Sequence, residues 1–266
     1  MARRDEARGA VPAEAWPLGR RLAAGLPLPG GPGLADQAVT ALEIDPADRV
    51  VEPAPGLGLL SRRLLAAGPG TWTGVEPDPL ARVRLERELG GPGRRLVDGR
   101  PDATGLDDGA ATVVAADALL CTMAPEARAG VLAEIARLLR SGGRVALCEP
   151  ALPAGAAPDP ELAALLGEAG LHLVDAGGWR SELGEAGLVV TGSLDRPLRP
   201  SAPRALMREA GPRTVLGAVR GLARDRSAAA AARAAARALD EFAPSLRAVA
   251  VVAERPLILG MRRPRR

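Results

Sequence analysis

The sequence predicts an α/β fold, in which a doubly wound, mostly parallel sheet of seven strands ends in an antiparallel hairpin and carries a helical insertion. Three observations predict it. Short apolar runs alternate with amphipathic segments along residues 34–150. One run, residues 111–117, is nearly continuous in apolar residues, which suits a strand buried on both faces. After residue 150 the alternation ends, and helical sequence leads to a last strand pattern.

The first half of the chain supplies five of the strands. A helix is expected at residues 34–44, where apolar side chains recur on one face. Amphipathic helices are expected at residues 78–89 and 124–143, the second ended by Gly142 and Gly143. The five strands are predicted at residues 49–52, 71–76, 94–98, 111–117 and 144–150. Strands separated by helices favour parallel pairing with right-handed crossovers.

The second half predicts two further helices, at residues 158–170 and 177–188, and a sixth strand at residues 188–194. Helical sequence fills residues 199–244, and the last strand pattern covers residues 246–256. The expected organisation has three parts. Residues 1–33 form an N-terminal helix and a Pro/Gly linker, residues 34–256 form one domain with a helical lid at 199–244, and residues 257–266 form a basic tail.

Composition excludes several classes of protein. The 266 residues are 47% hydrophobic and 25% charged, with a net charge of +3, which is ordinary for a globular chain. Aromatic residues make up 2%, too few for a platform that stacks nucleic-acid bases. The two cysteines and the single histidine provide neither a disulfide framework nor a metal cluster. An N-terminus without an apolar core and the absence of a long uncharged apolar run predict a cytoplasmic protein outside the membrane.

The stretch "VEPAPGLG", residues 51–58, carries the clearest chemistry. A strand ends in Glu52, a loop with Gly56 and Gly58 follows, and a helix begins. Glycine lets such a loop turn tightly and approach a ligand, and the free N–H groups of the next helix attract anionic groups. Glu76 ends the second strand, where a carboxylate can accept both hydroxyls of a ribose. Together these features predict an adenosine-containing cofactor. The string "GLGLLS" leaves a nicotinamide dinucleotide and S-adenosylmethionine both open.

Three segments, "RVVEPAPGLG", "WTGVEPDP" and "EIARLLRSGGRVALCEP", resemble the class I S-adenosylmethionine-dependent methyltransferases. The resemblance covers roughly residues 34–256, and "GLPLPGGPGLAD" and "GWRSELGEAGL" are similar to a bacterial small-molecule subgroup. It implies a seven-stranded Rossmann-like sheet, S-adenosylmethionine as cofactor, a small-molecule acceptor, and no nucleic-acid or membrane partner; a homodimer is left open. The cofactor residues that it implies are Glu52, Ala54, Gly56, Gly58, Glu76, Asp98, Asp102 and Asp117.

Two positions depart from the family pattern. Ala54 stands where the family has its first loop glycine. The methyl group of an alanine costs little there if φ is negative and about 1 kcal/mol or more if φ is positive. Arg100 stands where an aspartate is expected beside the adenine amine. That amine donates hydrogen bonds, and a guanidinium has no acceptor for them. An intact site therefore needs Asp98 or Asp102 as the acceptor, with Arg100 turned to solvent or to an acid such as Asp107. The alternative to a small-molecule methyltransferase is a non-catalytic or cofactor-losing interaction protein of the same fold. A nicotinamide-dependent oxidoreductase is the third hypothesis.

Few residues in this sequence can serve as a general base. Asp117 and Glu149 end the fourth and fifth strands, where ligands sit in such sheets. His172 is the only imidazole, and we include it with the two acids as a catalytic candidate. Cys121 and Cys148 are interpreted as packing residues.

Overall fold

The computed structural model describes residues 28–199, 203–224 and 226–257 of the chain. The helix expected within residues 1–33 and most of the basic tail lie outside these ranges. The strands are β1 (Arg49–Pro53), β2 (Thr71–Val75), β3 (Arg94–Val97), β4 (Ala111–Asp117), β5 (Leu139–Ala151), β6 (Val189–Pro197) and β7 (Arg247–Glu254). The helices are α1 (Pro32–Ala41), α2 (Leu59–Ala66), α3 (Pro79–Leu89), α4 (Pro125–Leu138), α5 (Pro160–Ala169), α6 (Ala176–Glu185), α7 (Pro203–Ala210), α8 (Pro212–Arg224) and α9 (Arg226–Phe242). Short 3-10 helices cover Leu120–Thr122 and Ala243–Ser245.

One seven-stranded sheet organises these elements, in the order β3-β2-β1-β4-β5-β7-β6. The first five strands are parallel, and β7 is antiparallel to both β5 and β6. The predicted sheet is therefore confirmed, together with its C-terminal antiparallel strands. β4 is buried along its whole length, as its apolar sequence predicts.

The end of helix α4 differs from the sequence prediction. The helix ends at Leu138 rather than at the glycine pair, because Leu139 is already extended and pairs with Ala111 of β4. Gly142, at φ 70°, then turns the chain inside an irregular stretch of β5. Its N–H donates to the carbonyl of Arg255, 2.9 Å away, which ties this turn to the end of β7.

The helical insertion packs by small side chains. Among the side chains of α9 that the structure describes, the buried ones are Ala231, Ala232, Ala234, Ala235, Ala238 and Leu239. α9 lies against α5, and alanines allow two helices to approach closely. The Ala-rich run, which has little bulky surface, is thus part of the core. Among the residues that the structure describes, none of the helices could cross a membrane.

The connection between β3 and β4, residues 98–110, has no helix and depends on one buried carboxylate. The N–H and hydroxyl of Thr104 donate to Glu134 Oε1 of α4, at 2.9 and 2.5 Å. Arg137 donates to both oxygens of Glu134, at 2.7 Å each, and to the carbonyl of Leu106. Burial opposes ionisation, but the bonds from Arg137 and Thr104 lower the pKa of Glu134 to about 2. Glu134 thereby fixes the loop that carries Asp102.

We expect Glu134→Gln to destabilise the protein in a pH-dependent way. The pKa of Glu134 falls from 4.5 to about 2 on folding, so its contribution is complete above about pH 5 and is lost as the pH falls toward 2. The pKa difference limits this contribution to roughly 3 kcal/mol. Urea unfolding of both proteins between pH 3 and 7 measures the difference, and Glu168→Gln, at an exposed position on α5, is the control. A difference that stays constant with pH would contradict the assignment.

Candidate functional site

The loop after β1 has an unusual backbone. Ala54, Gly56 and Gly58 have φ values of 50°, 58° and 75°, so alternate residues are left-handed. A Cβ on Gly58 would lie 2.8 Å from Leu85 Cδ2, so glycine is required there for packing as well. Ala54 has positive φ, which is the costly case, and its N–H is tied to the carbonyl of Val75 at 2.7 Å. The loop thus holds strain at Ala54, the position of the family's first loop glycine.

Glu76 joins this loop to the end of β2. Its Oε2 accepts the Gly56 N–H and its Oε1 accepts the Asp78 N–H, each at 3.0 Å. The side chain is buried at the carboxyl edge of the sheet. The expected ribose acid is therefore held in place by the loop that it faces.

Glu52 lies beside it at the end of β1. The Trp72 indole N–H donates to Glu52 Oε2 at 3.0 Å, and both side chains are buried. Gly74 makes room for this pair, because a Cβ there would lie 2.8 Å from the Trp72 ring. Sequence reasoning identified Glu52 but not Trp72, whose role depends on the register between β1 and β2.

The adenine-side residues form two local ion pairs. Arg100 donates to both oxygens of Asp102, at 2.9 and 2.7 Å, and these bonds raise the pKa of Arg100. Its partner is thus Asp102, not the solvent or Asp107. Asp98, whose side chain is 77% exposed, accepts from Arg82 at 3.0 Å. Asp102 is less exposed, and Arg100 leaves lone pairs on its oxygens for another donor.

Asp117, at the end of β4, contacts the segment before α1. Its Oδ2 accepts the N–H of Leu28 at 2.9 Å. Leu28 is buried with φ 57°, and its neighbour Pro29 accepts the N–H of Arg199 at 3.0 Å. Residues 28–31, expected to belong to a linker, thus lie between the end of β4 and the start of the helical insertion. The sequence pattern could not predict this hydrogen bond, because its donor is a backbone N–H 89 residues away from Asp117.

Glu149, at the carboxyl end of β5, is turned toward the backbone of the neighbouring strand connection. Its oxygens accept the N–H groups of Leu119, Leu120 and Cys121, at 3.0, 2.8 and 3.1 Å. The residue is 1% exposed, and burial raises the pKa of Glu149 although these donors lower it in part. This geometry makes Glu149 the support of the turn after β4, whereas the sequence suggested a carboxylate facing a ligand.

His172 lies next to that same turn. The backbone N–H of His172 donates to the carbonyl of Cys121 at 2.7 Å, and the backbone carbonyl of His172 accepts from the buried Arg128 at 2.9 Å. Arg128 also pairs with Glu182 at 2.6 Å and lies 5.1 Å from the ring centroid of Trp179. Partial desolvation and the charge of Arg128 lower the pKa of the His172 imidazole, although much of the residue remains exposed.

The two cysteines are buried free thiols. Cys148 lies inside β5 and pairs in register with Asp117 of β4. Burial, with the nearby charges of Asp117 and Glu149, raises the pKa of the Cys148 thiol well above its ordinary value. A thiol that stays protonated is a poor nucleophile, which agrees with a packing role.

Residues 51–147 match the sequence model of a family described as a methyltransferase domain. The match begins in β1, ends in β5, and includes the loop, Glu76, Asp102 and Asp117. The methyltransferase domain that the sequence motifs predicted is thereby confirmed for this part of the chain.

Solved structures share the fold of this chain at low identity. The [4+2]-cyclase SpnF aligns with a TM-score of 0.63 and 21% identity, over 85% of this chain and 81% of its own. Geranyl diphosphate C-methyltransferase from Streptomyces coelicolor A3(2), crystallised with Mg²⁺, geranyl diphosphate and S-adenosyl-L-homocysteine, aligns with a TM-score of 0.59 and 17% identity, over 84% and 77%. A putative sarcosine dimethylglycine methyltransferase from Galdieria sulphuraria gives 0.57 and 17%, over 84% and 83%. Comparison with curated proteins gives no significant match.

The carboxyl edge of the sheet suits S-adenosylmethionine, which carries a sulfonium, an ammonium and ribose hydroxyls. Glu52, Glu76 and Asp117 present buried carboxylates at the ends of three neighbouring strands. Negative acceptors suit a cationic ligand with hydroxyl donors. The pyrophosphate of a nicotinamide dinucleotide would face the same carboxylates, and the Gly56 N–H is already bonded to Glu76. The edge therefore disfavours the nicotinamide alternative.

Replacement of Ala54 by glycine tests the strain in the loop. A non-glycine residue in the left-handed region costs roughly 1–2 kcal/mol, and glycine returns part of that through the entropy of the unfolded chain. We expect Ala54→Gly to raise the free energy of unfolding by about 1 kcal/mol in urea titrations. Ala133→Gly, at an exposed position inside α4, should lower it by a similar amount. Destabilisation by Ala54→Gly would show that the residue is not strained.

Proposed function

We propose that this protein transfers the methyl group of S-adenosylmethionine to a small-molecule acceptor. The observation that carries the proposal is the carboxylate cluster around the Gly56 loop, in which Glu76 is fixed by two N–H donors at 3.0 Å. Glu76 would bind the ribose hydroxyls, Glu52 would lie toward the amino acid portion, and Asp117 would face the reacting groups. We assign the adenine amine to Asp102 rather than to Asp98, because the Asp102 side chain is the more buried of the two.

S-adenosylmethionine would supply an electrophilic methyl group, which would pass to a lone pair of the acceptor while the electron pair of the carbon–sulfur bond stays on sulfur. The residues of the chain align the two partners in line, which supplies much of the rate. An oxygen or nitrogen acceptor also loses a proton. Since three N–H groups already engage Glu149, we propose Asp117 and the imidazole of His172 as the groups that take the proton.

Several observations support a small-molecule acceptor. The segment after β4 reads "DALLCTM", without the Pro-Pro-aromatic motif of enzymes that methylate the exocyclic amines of nucleic-acid bases. Two of the structural neighbours are described as methyltransferases for geranyl diphosphate and for sarcosine and dimethylglycine. We propose that the helices of residues 199–244 cover the acceptor as a lid and that the protein acts in the cytoplasm, as a monomer or a homodimer.

Calorimetric titration tests the cofactor site. We expect S-adenosylhomocysteine to bind and NAD to give no heat of binding. Glu76→Ala should weaken S-adenosylhomocysteine about a hundredfold, from two charge-assisted hydrogen bonds of roughly 1.5 kcal/mol each. Asp102→Ala should weaken it about tenfold or more, and Asp98→Ala should change it little. Glu86→Ala, at an exposed position on α3, is the control. A wild-type protein that binds no S-adenosylhomocysteine would support the cofactor-losing alternative.

A label-transfer experiment tests the acceptor class. The protein is incubated with S-adenosylmethionine labelled in its methyl group, together with metabolite extract, RNA, DNA and protein as separate acceptors. We expect the label to appear in the metabolite fraction, with a mass shift of one methyl group, and to be lost with Glu76→Ala. Label in the macromolecular fractions alone would contradict a small-molecule acceptor.

A further inference from the structure

Arg84, on α3, reaches across to the loop after β1. Its guanidinium donates to the carbonyl of Gly56 and, at 3.4 Å, to the carbonyl of Leu57. The Arg84 side chain is 14% exposed, so these bonds form largely out of water. The Gly56 residue is then held from both sides, because its N–H donates to Glu76 at 3.0 Å. One residue of the cofactor loop therefore connects Arg84 to the ribose acid.

Glu88, one turn further along α3, orients Arg84 and meets the helical insertion. Its carboxylate accepts from Arg84 at 3.2 Å and from Arg62 of α2 at 2.9 Å. The hydroxyl of Thr214, a buried residue in the first turn of α8, lies 3.3 Å from the other oxygen of Glu88. The insertion therefore touches the support of the cofactor loop through the hydroxyl of Thr214.

We infer that Arg84 is a positioning residue for the cofactor loop and that the contact of Thr214 with Glu88 couples the helical insertion to cofactor binding. The contacts run without a gap from Thr214 to Glu88, Arg84, Gly56 and Glu76. A guanidinium has five N–H donors in a rigid plane, so it can hold two carbonyls and a carboxylate together. This inference rests on the proposed function, since it assigns the same loop to S-adenosylmethionine.

The first test compares Arg84→Gln with Arg62→Gln. Both variants remove a donor from Glu88, but only Arg84 also holds the loop carbonyls. We expect Arg84→Gln to raise the dissociation constant of S-adenosylhomocysteine at least tenfold in calorimetry, and Arg62→Gln to change it less than threefold. Arg84→Lys should recover part of the affinity, because an ammonium can reach one carbonyl but not both. In a methyl-transfer assay Arg84→Gln should raise KM for the cofactor and leave kcat at saturation nearly unchanged.

The second test is a double-mutant cycle on the coupling. Thr214→Val keeps the shape and removes the hydroxyl, and we expect it to weaken S-adenosylhomocysteine about threefold. In the Arg84→Gln background the same substitution should have no further effect, because the link to the loop is already broken. Thr191→Val, which removes a hydroxyl bonded at 3.3 Å to the carbonyl of Val252 far from the loop, is the control.

The outcomes separate this inference from the proposed function. Binding of S-adenosylhomocysteine by the wild type, with equal dissociation constants for Arg84→Gln and Arg62→Gln, overturns the positioning role and leaves the function intact. Independent, additive effects of Arg84→Gln and Thr214→Val overturn the coupling. Thermal unfolding of each variant measures its folded fraction. If the loss of binding by Arg84→Gln is fully explained by a smaller folded fraction, the positioning role is also overturned. A wild type that binds no S-adenosylhomocysteine refutes the proposed function itself.

Discussion

The hydrogen bond from the Gly56 N–H to the Glu76 carboxylate is the contact on which the proposed cofactor site depends. Parallel pairing of β1 and β2 brings the ends of the two strands to one edge, and this bond then fixes the loop of one strand against the acid of the other. The left-handed residues at 54, 56 and 58 give the loop the path that presents this N–H. The ribose acid and the loop are consequently one unit, so a change in either alters both.

The buried acids around this unit all accept hydrogen bonds from N–H groups. Glu52 is bonded by an indole N–H, Glu76 and Asp117 by backbone N–H groups, and Glu149 by three of them. A buried carboxylate needs hydrogen bonds to offset its loss of water. These N–H donors satisfy that need and give each acid a fixed orientation at the edge of the sheet.

Much of this architecture could be predicted from the sequence, and the remainder could not, for physical reasons. The strands follow from apolar runs of strand length, and Glu52 and Glu76 follow from their place at strand ends, because local pattern determines both. The strain at Ala54 depends on φ, which the identity of the residue does not report. The partners of Glu149 and Asp117 lie 28 to 89 residues away, and only the packed sheet brings them together. Likewise, α4 ends at Leu138 because Leu139 pairs with Ala111 of β4. This tertiary contact outweighs the local tendency of the helix to continue to the glycine pair.

The strand order also governs how the chain can fold as it is synthesised. β7 lies between β5 and β6, so β6 has no neighbour in the sheet until residues 247–254 have left the ribosome. At about 5–20 residues per second, the roughly fifty residues between the two strands take some seconds to appear. During that interval the parallel half of the sheet can form, but the edge of β5 stays open. A nascent chain at this stage exposes an apolar strand edge to other chains and to chaperones, and the arrival of β7 closes it with hydrogen bonds on both sides.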